Sequence, residues 1–331
     1  YLSRWRLPES SFDNSQVTAR RLLSHTSGLT DRLGFGDYRG DERLPSIVEA
    51  LKNPRTSDGS SRAITLGLEP GSEFLYSGGG YLLLQLLIEE VTASRFENHV
   101  AQSVFSPVGM ERSTYAYLGD ERNATPSFDI DGAIAPTYHY ASAAATGLAS
   151  TSTDLAKLVQ TLIDANGTPV LADTAKTMRQ PHGRLLGADI WGLGTMLYAP
   201  TDNGDFVYGH DGANEPAINA SVRINPKSKD AMVMLVSGNP SLASRIGAEW
   251  VLWQTGIPDF LSTDRVLHSA VMPSILGSGL TLFLLFIAKV AERGVRETDS
   301  YRTSPSAALT ARQSLHSFSR VPLLDARLNG W

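Results

Sequence analysis

Between Trp191 and Gly238 the chain carries four short apolar segments: "WGLGTMLYA" at Trp191–Ala199, "FVYGHDG" at Phe206–Gly212, "AINASVRINP" at Ala217–Pro226 and "DAMVMLVSG" at Asp230–Gly238. Each is bounded by Gly, Asn or Pro, and the connections "TDNGD" and "NPKSKD" are short and polar, as tight antiparallel turns require. The stretch predicts an antiparallel sheet. Helical spacing flanks it on both sides. "TSTDLAKLVQTLID" at Thr151–Asp164 opens with hydroxyl caps and an early Asp, and sets Leu155, Leu158, Val159 and Leu162 on one side, which predicts an amphipathic surface helix. Ala243–Gln254 spaces Ile246, Trp250 and Trp253 helically, which predicts a helix laid on the sheet through those residues. Upstream, "GYLLLQLLIEEV" at Gly80–Val91 is apolar at nearly every helical position and predicts a mostly buried helix. Residues 1–260 show neither repeats nor a βαβ rhythm, so the fold class is α+β, an antiparallel sheet flanked by helices.

Composition narrows the function classes. A net charge of -5, from 34 acidic and 29 basic residues dispersed along the chain, leaves no electrostatic footprint for nucleic acid, so no nucleic-acid partner is expected. The absence of cysteine excludes disulfides, thiolate nucleophiles and cysteine metal sites. The seven histidines are scattered without ligand spacing, so neither a metal nor another cofactor is expected. The first residues, "YLSRWRLPES", have no initiator Met, basic n-region or apolar h-region, which places any export signal upstream or nowhere.

Ser269–Ala288, "SAVMPSILGSGLTLFLLFIA", is uncharged over 20 residues. As a helix it reaches about 30 Å, the thickness of a bilayer core. The expected organisation is a globular domain at 1–262, a transmembrane helix at 266–290 and a Ser- and Arg-rich mobile tail at 291–331; a buried core helix is the alternative for the apolar run. Lys289, Arg293 and Arg296 follow the run closely while Arg265 alone precedes it, so the positive-inside rule puts the tail in the cytoplasm and the globular domain outside, in the periplasm or at the cell surface.

For chemistry, the chain lacks G-x-S-x-G, H-E-x-x-H, a P-loop and G-x-G-x-x-G, and none of its six lysines has a serine three positions before it. Three segments carry the signal instead: "ARRLLSHTSGL" at Ala19–Leu29, "PGSEFLYSGGGYLLLQLLIEEVT" at Pro70–Thr92, and "YGHDGANEPAINASVRINP" at Tyr208–Pro226. In order and spacing they resemble the serine β-lactamase-related hydrolases, the group of class C β-lactamases, D-alanyl-D-alanine carboxypeptidases and related esterases and aminopeptidases. "FENHVAQSVFSPVGMERSTY" and "AAATGLASTSTDLAKLVQTL" fit the same family, and the resemblance covers roughly residues 1–258.

The resemblance implies a serine hydrolase acting through an acyl-enzyme on ester or amide substrates (peptide, D-amino-acid or β-lactam-like). In that family the nucleophilic serine and its lysine form S-x-x-K tens of residues before the "LLSHTSGL" segment, so both are expected outside this sequence and the chain by itself is expected to be nearly inactive. Ser24, Thr26 and Ser27 then cap a turn at which Gly28 supplies a permissive φ. The family's Tyr-x-Asn falls on Tyr76, Ser77 and Gly78: Tyr76 takes the proton-shuttle role, and Gly78 removes the usual side-chain amide, which favours esters or unusual amides over strict β-lactams. The Lys-Thr-Gly or His-x-Gly position falls on His210, Asp211 and Gly212. His210 is the expected substrate or electrostatic partner of Tyr76, Gly212 lets substrate approach the backbone, and Ala213 offers an oxyanion-hole N–H. Asp211 and Asn214 complete the expected substrate-binding set. The alternative is a non-catalytic relative, a peptidoglycan- or ligand-binding module that has lost S-x-x-K.

Overall fold

A computed structural model describes residues 1–31, 37–55, 63–116, 124–164, 172–214, 217–262 and 271–302. The chain divides into two compact units, Tyr1–Asp264 and Arg265–Trp331.

The first unit is built on a six-stranded sheet in which sequence neighbours are spatial neighbours: β3 (Gly183–Leu185), β4 (Ala188–Trp191), β5 (Met196–Pro200), β6 (Phe206–Asn214), β7 (Ile218–Asn225) and β8 (Asp230–Ser237). Every pair is antiparallel. The two polar connections close as hairpins, Pro200 pairing with Phe206 and Asn225 with Asp230. A separate pair, β1 (Asp37–Arg39) and β2 (Tyr138–Tyr140), forms a two-stranded antiparallel sheet.

One predicted strand divides. Trp191–Ala199 is the end of β4, a turn, and β5. Gly192 N–H donates to the Thr195 carbonyl, Gly194 sits at φ +71°, and Trp191 pairs with Met196. A turn this tight needs the positive φ that glycine adopts without cost.

Helices cover both faces. Five are used below: α1 (Ala19–Leu23), α2 (Gly78–Thr92), α3 (Ser152–Asp164), α4 (Leu242–Thr255) and, in the second unit, α5 (Met272–Arg302). α2 buries Leu82, Leu83 and Leu86 against Leu22, Leu29, Leu51 and Ile64. On the sheet, Val159 of α3 packs with Leu197, Tyr208 and Ile224, whereas Val251 of α4 packs with Met196, Tyr198 and Val207.

α4 lies on the sheet as its spacing predicts, but through a different stripe. Ala243, Gly247 and Val251 are buried, Trp250 is partly packed, and Ile246 and Trp253 are exposed, Trp253 to 75%. What lies beneath explains the choice of small residues. A Cβ on Gly247 would sit 2.7 Å from Ser221 Oγ and 2.9 Å from Arg223 Nη2. Arg223 is fully buried. It donates to both carboxylate oxygens of Asp211 at 2.6 and 3.1 Å and to Ser221 Oγ at 2.8 Å, lies 3.5 Å over the Tyr198 ring, and has Asp259 at 3.6 Å.

Asp211, expected in the substrate-binding set, is engaged within the fold. Successive side chains of a strand point to opposite faces, so Asp211 turns away from the face that carries His210, and its carboxylate is already held by Arg223 beneath α4.

In the second unit, α5 continues to Arg302 rather than stopping at residue 290, with an i,i+4 pair from Arg296 to Glu292 at 2.5 Å in the continuation. Its Met272–Arg293 portion has a mean hydropathy of 1.9 and is long and apolar enough to cross a membrane. The remainder of the expected tail, residues 303–331, lies outside the described residues, as do residues 263–270.

Two stability measurements follow from this packing. Gly247→Leu forces α4 off the Arg223 network and lowers unfolding stability by about 2 kcal/mol in urea denaturation. Asp211→Ala leaves the buried guanidinium short of its main partner and costs about 3 kcal/mol; a substitution there with wild-type stability would show that the pair holds nothing in place.

Candidate functional site

Tyr76 is placed by the start of α2. Ser77 is the N-cap, its Oγ accepting the Gly80 N–H at 2.9 Å while donating to Asp31 Oδ1 at 2.6 Å; Asp31 Oδ2 accepts the Gly79 N–H at 2.9 Å. The first-turn N–H groups of a helix have no intrahelical partner, and a buried carboxylate with a hydroxyl satisfies two of them here. Glycine at 79 is favoured by this packing: a Cβ there would lie 2.8 Å from Ile64 and 3.1 Å from the Asp31 carboxyl carbon.

The residue before this cap is Tyr76, which exposes 43% of its surface. One side of its ring lies against His25, 4.2 Å between centroids, and it meets Trp191 edge-on at 5.7 Å. Burial of that side, and then the Asp31 carboxylate, push its phenol above the usual value, so it is protonated at neutral pH.

His210 reaches the same tryptophan. Its ring stands perpendicular to Trp191 at 5.4 Å, so Trp191 is a shared wall between the tyrosine and the histidine, which are far apart in sequence. Trp191 is fixed by its Nε1–H, which donates to the Leu23 carbonyl at 3.1 Å, tying β4 to the end of α1. His210 Nδ1 lies 2.6 Å from the Asp211 carbonyl. A carbonyl only accepts, so Nδ1 carries the proton and Nε2 has a free lone pair. Burial outweighs the pull of Asp211 and lowers the imidazole below its usual range. His210 is therefore neutral at pH 7, an acceptor rather than the cation that an electrostatic partner of Tyr76 needs.

Beside His210 the sheet has an open edge. The β5–β6 ladder ends at Met196↔Gly209, whereas β6 runs on to Asn214 paired only with β7. Asp211 N–H is directed at Met196 Sδ, on the β5 side. Backbone groups of alternate strand residues face the same neighbour, so the Ala213 N–H is also directed to that side, beyond the start of β5. A Cβ on Gly212 would meet only Ala220 at 3.9 Å, so no packing within the chain demands glycine there. Asn214, at the end of the edge, donates to Tyr140 Oη at 2.7 Å and so stands in β6, not in a turn. Gly78 is buried in the first turn of α2.

The "LLSHTSGL" segment is a turn in the structure. Ser24 and Ser27 are buried, Ser24 Oγ is 2.8 Å from Thr26 Oγ1, and Gly28 sits at φ +81° with room for no Cβ, the Leu68 carbonyl lying 2.2 Å from where one would be. Sequence reasoning missed three residues of the site. Trp191 read as a strand residue, Asp31 carried no motif, and His25 read as part of a turn. A buried histidine at φ +54° between two buried serines was signalled only by its place in the motif. Among the described residues no group of three or more His, Asp or Glu is gathered as metal ligands.

Comparison with known proteins identifies the family of the chain. A family model described as Beta-lactamase matches residues 4–257. Penicillin-binding protein 4* of Bacillus subtilis is 31% identical over 112 residues, 34% of this chain and 23% of that protein. Penicillin-binding protein 4 of Amycolatopsis lactamdurans is 26% identical over 247 residues, 67% of this chain and 60% of that protein. The octameric penicillin-binding protein homologue from Pyrococcus abyssi superposes with a TM-score of 0.57 at 23% identity, covering 77% of this chain and 60% of that one, a likeness of fold. The chain spans less than two thirds of the length of each of these proteins. Because the family model runs through the α2 cap, the Trp191 wall and the whole sheet, and over more than half of the sequence, this chain belongs to the Beta-lactamase family.

Proposed function

We propose that this chain is the Tyr76- and His210-bearing part of a membrane-anchored, extracytoplasmic serine hydrolase that acts through an acyl-enzyme on ester or amide substrates. One observation carries the reading: Tyr76 and His210 meet the same Trp191 ring, next to the open backbone edge at His210–Asn214. The substrate's carbonyl lies along that edge, with the Ala213 N–H as one oxyanion donor. The nucleophilic serine comes from outside this sequence, where no lysine completes S-x-x-K. Its oxygen attacks the carbonyl carbon, its proton passes by way of Tyr76 to the leaving group as the bond to that group breaks, and water then cleaves the acyl-enzyme. His210 Nε2 accepts a hydrogen bond from the phenol or the substrate. Gly78 supplies no amide, which favours esters and unusual amides. Met272–Arg293 is the anchor, with Lys289, Arg293 and Arg296 on the cytoplasmic side. A second reading, a ligand-binding relative without a nucleophile, is favoured by the absence of S-x-x-K alone; an upstream coding sequence free of that motif would select it.

A fluorophosphonate or penicillin probe on the full-length protein tests the chemistry. The label is expected on a serine upstream of Tyr1, and Tyr76→Phe is expected to slow labelling about 10²-fold or more. The 331-residue chain alone should lose about 10⁶ in turnover. A product burst from this chain with an activated ester, or a label mapped within it, overturns the proposal.

The two imidazoles also give a test in stability. Desolvation, and then the nearby His210, hold His25 down from 6.5 to about 3, and His210 is lowered as well. A depressed histidine is neutral in the fold and takes up a proton when unfolded. Its stabilising contribution is complete above 6.5 and is lost as pH falls below that value. One such group changes stability by about 1.4 kcal/mol per pH unit, so His25 alone accounts for about 2 kcal/mol between pH 6.5 and 5. Urea denaturation at pH 7 and pH 5 should show that loss, and His25→Gln should flatten it; an equal slope in the variant would mean that His25 is not held neutral.

A further inference from the structure

His25 is held in a way that a turn does not explain. It has a left-handed backbone, φ +54°, a region uncommon outside glycine that His, like Asn and Asp, enters more often than other residues but still at a cost. From that conformation it grips both sides of Tyr76. Its carbonyl accepts the Leu75 N–H at 2.8 Å, and its Nδ1 accepts the Ser77 N–H at 3.1 Å. Between these two bonds its ring lies 4.2 Å from the Tyr76 ring, tilted by 34°. Because Nδ1 accepts, the proton of the neutral ring sits on Nε2. That Nε2 is buried and has no hydrogen-bond partner among the described residues, while the rings of Trp191 and Tyr81 lie 4.7 and 5.3 Å from the imidazole. Backbone strain and an unsatisfied buried donor are two costs at one residue, and a fold keeps such costs where the surroundings enforce a function.

We infer that His25 is the positioning residue for Tyr76: its carbonyl and imidazole clamp the peptides on either side of the tyrosine, and its ring face sets the angle at which the phenol meets the reacting groups. This deepens the proposed function and rests on Tyr76 relaying the proton. His25 itself moves no proton, because burial keeps its imidazole neutral down to about pH 3.

Asparagine separates positioning from mere turn-building. It adopts the left-handed region readily, and its side-chain oxygen is able to accept the Ser77 N–H, so His25→Asn preserves the turn while removing the ring under Tyr76. With p-nitrophenyl acetate and the full-length protein, His25→Asn is expected to lower kcat by about 10- to 100-fold with KM within about threefold of wild type. The loss is expected to be the same at pH 6 and pH 8. An independent readout needs no turnover: ultraviolet titration of the tyrosines, with Tyr76→Phe as the baseline, should show the phenol of Tyr76 falling towards its ordinary value of about 10 in His25→Asn as water reaches the exposed face. Wild-type kcat in a folded His25→Asn variant, or an unmoved Tyr76 titration, overturns the inference. A kcat loss confined to pH 6 or to pH 8 overturns it too, since it would make His25 a proton carrier. If Tyr76→Phe keeps full activity, the hydrolase reading of Tyr76 fails instead, and the titration still decides whether His25 controls that phenol.

Discussion

The buried carboxylate of Asp31 is the constraint from which the rest of the site is built. It accepts the Ser77 hydroxyl and the Gly79 N–H at the positive end of a fifteen-residue helix, where an anion is favoured by the helix dipole as well as by hydrogen bonding. Ser77 passes the constraint on by accepting the Gly80 N–H. Ile64 and the carboxylate come so close to the backbone that a side chain at Gly79 is crowded out. Tyr76 precedes the cap and inherits its position. The same anion makes the phenol harder to ionise, so the group that fixes the tyrosine in space also keeps it protonated at rest.

A second constraint comes from the other side of the sheet. Arg223 is buried, and its stability there depends on having its charge paired and its donors filled. Asp211, Asp259 and the Tyr198 face balance the charge, Asp211 and Ser221 take Nη donors while Nε has no partner among the described residues, and Gly247 lets α4 close over the group. Asp211 and His210 are adjacent, so the pair divides its work by the alternation of the strand: one side chain anchors the sheet to α4, the other packs against Trp191. The Asp211 carbonyl then holds His210 Nδ1, which chooses the tautomer that leaves Nε2 as an acceptor.

The parts of this arrangement that were legible in sequence are those governed by local pattern. Polar turns at Thr201–Asp205 and Asn225–Asp230 gave the β6 and β8 hairpins, apolar density gave α2, and the capped amphipathic pattern gave α3. What local pattern does not contain is how closely two elements approach. The Trp191–Ala199 strand failed because a Gly-Leu-Gly turn reads as apolar continuity when each residue is judged by hydropathy. The face of α4 failed for a related reason: Ile246 and Trp253 are the more hydrophobic residues, but the contact is made over a buried guanidinium, where bulk is excluded and Gly247 fits. The pairing of Asp211 was not legible because its partner lies twelve residues away on the next strand. His25 shows the opposite case, a residue inside the most recognisable motif whose role depends on contacts with residues 75–77, which no spacing within "LLSHTSGL" encodes.

The electrostatics of the cleft say what a working centre needs. His25 and His210 are both neutral at pH 7, Asp31 is the one charge that bears on Tyr76 among the described residues, and it opposes ionisation. A phenol above pKa 10 has almost no phenolate at neutral pH, so as arranged it serves as a hydrogen-bond donor and not as a base. One unit charge at about 4 Å with an effective dielectric of about 20 is worth about 4 kcal/mol, which corresponds to about three pKa units. A single ammonium group placed beside Tyr76 is therefore enough to bring the phenol into the range where it exchanges protons with a serine and a leaving group. Neither imidazole supplies that charge, and no lysine of the first unit is among the groups that bear on Tyr76. On the proposed function the proton relay depends on a cation contributed with the nucleophile, and a serine without a lysine beside it would leave Tyr76 an oriented phenol with no base to become.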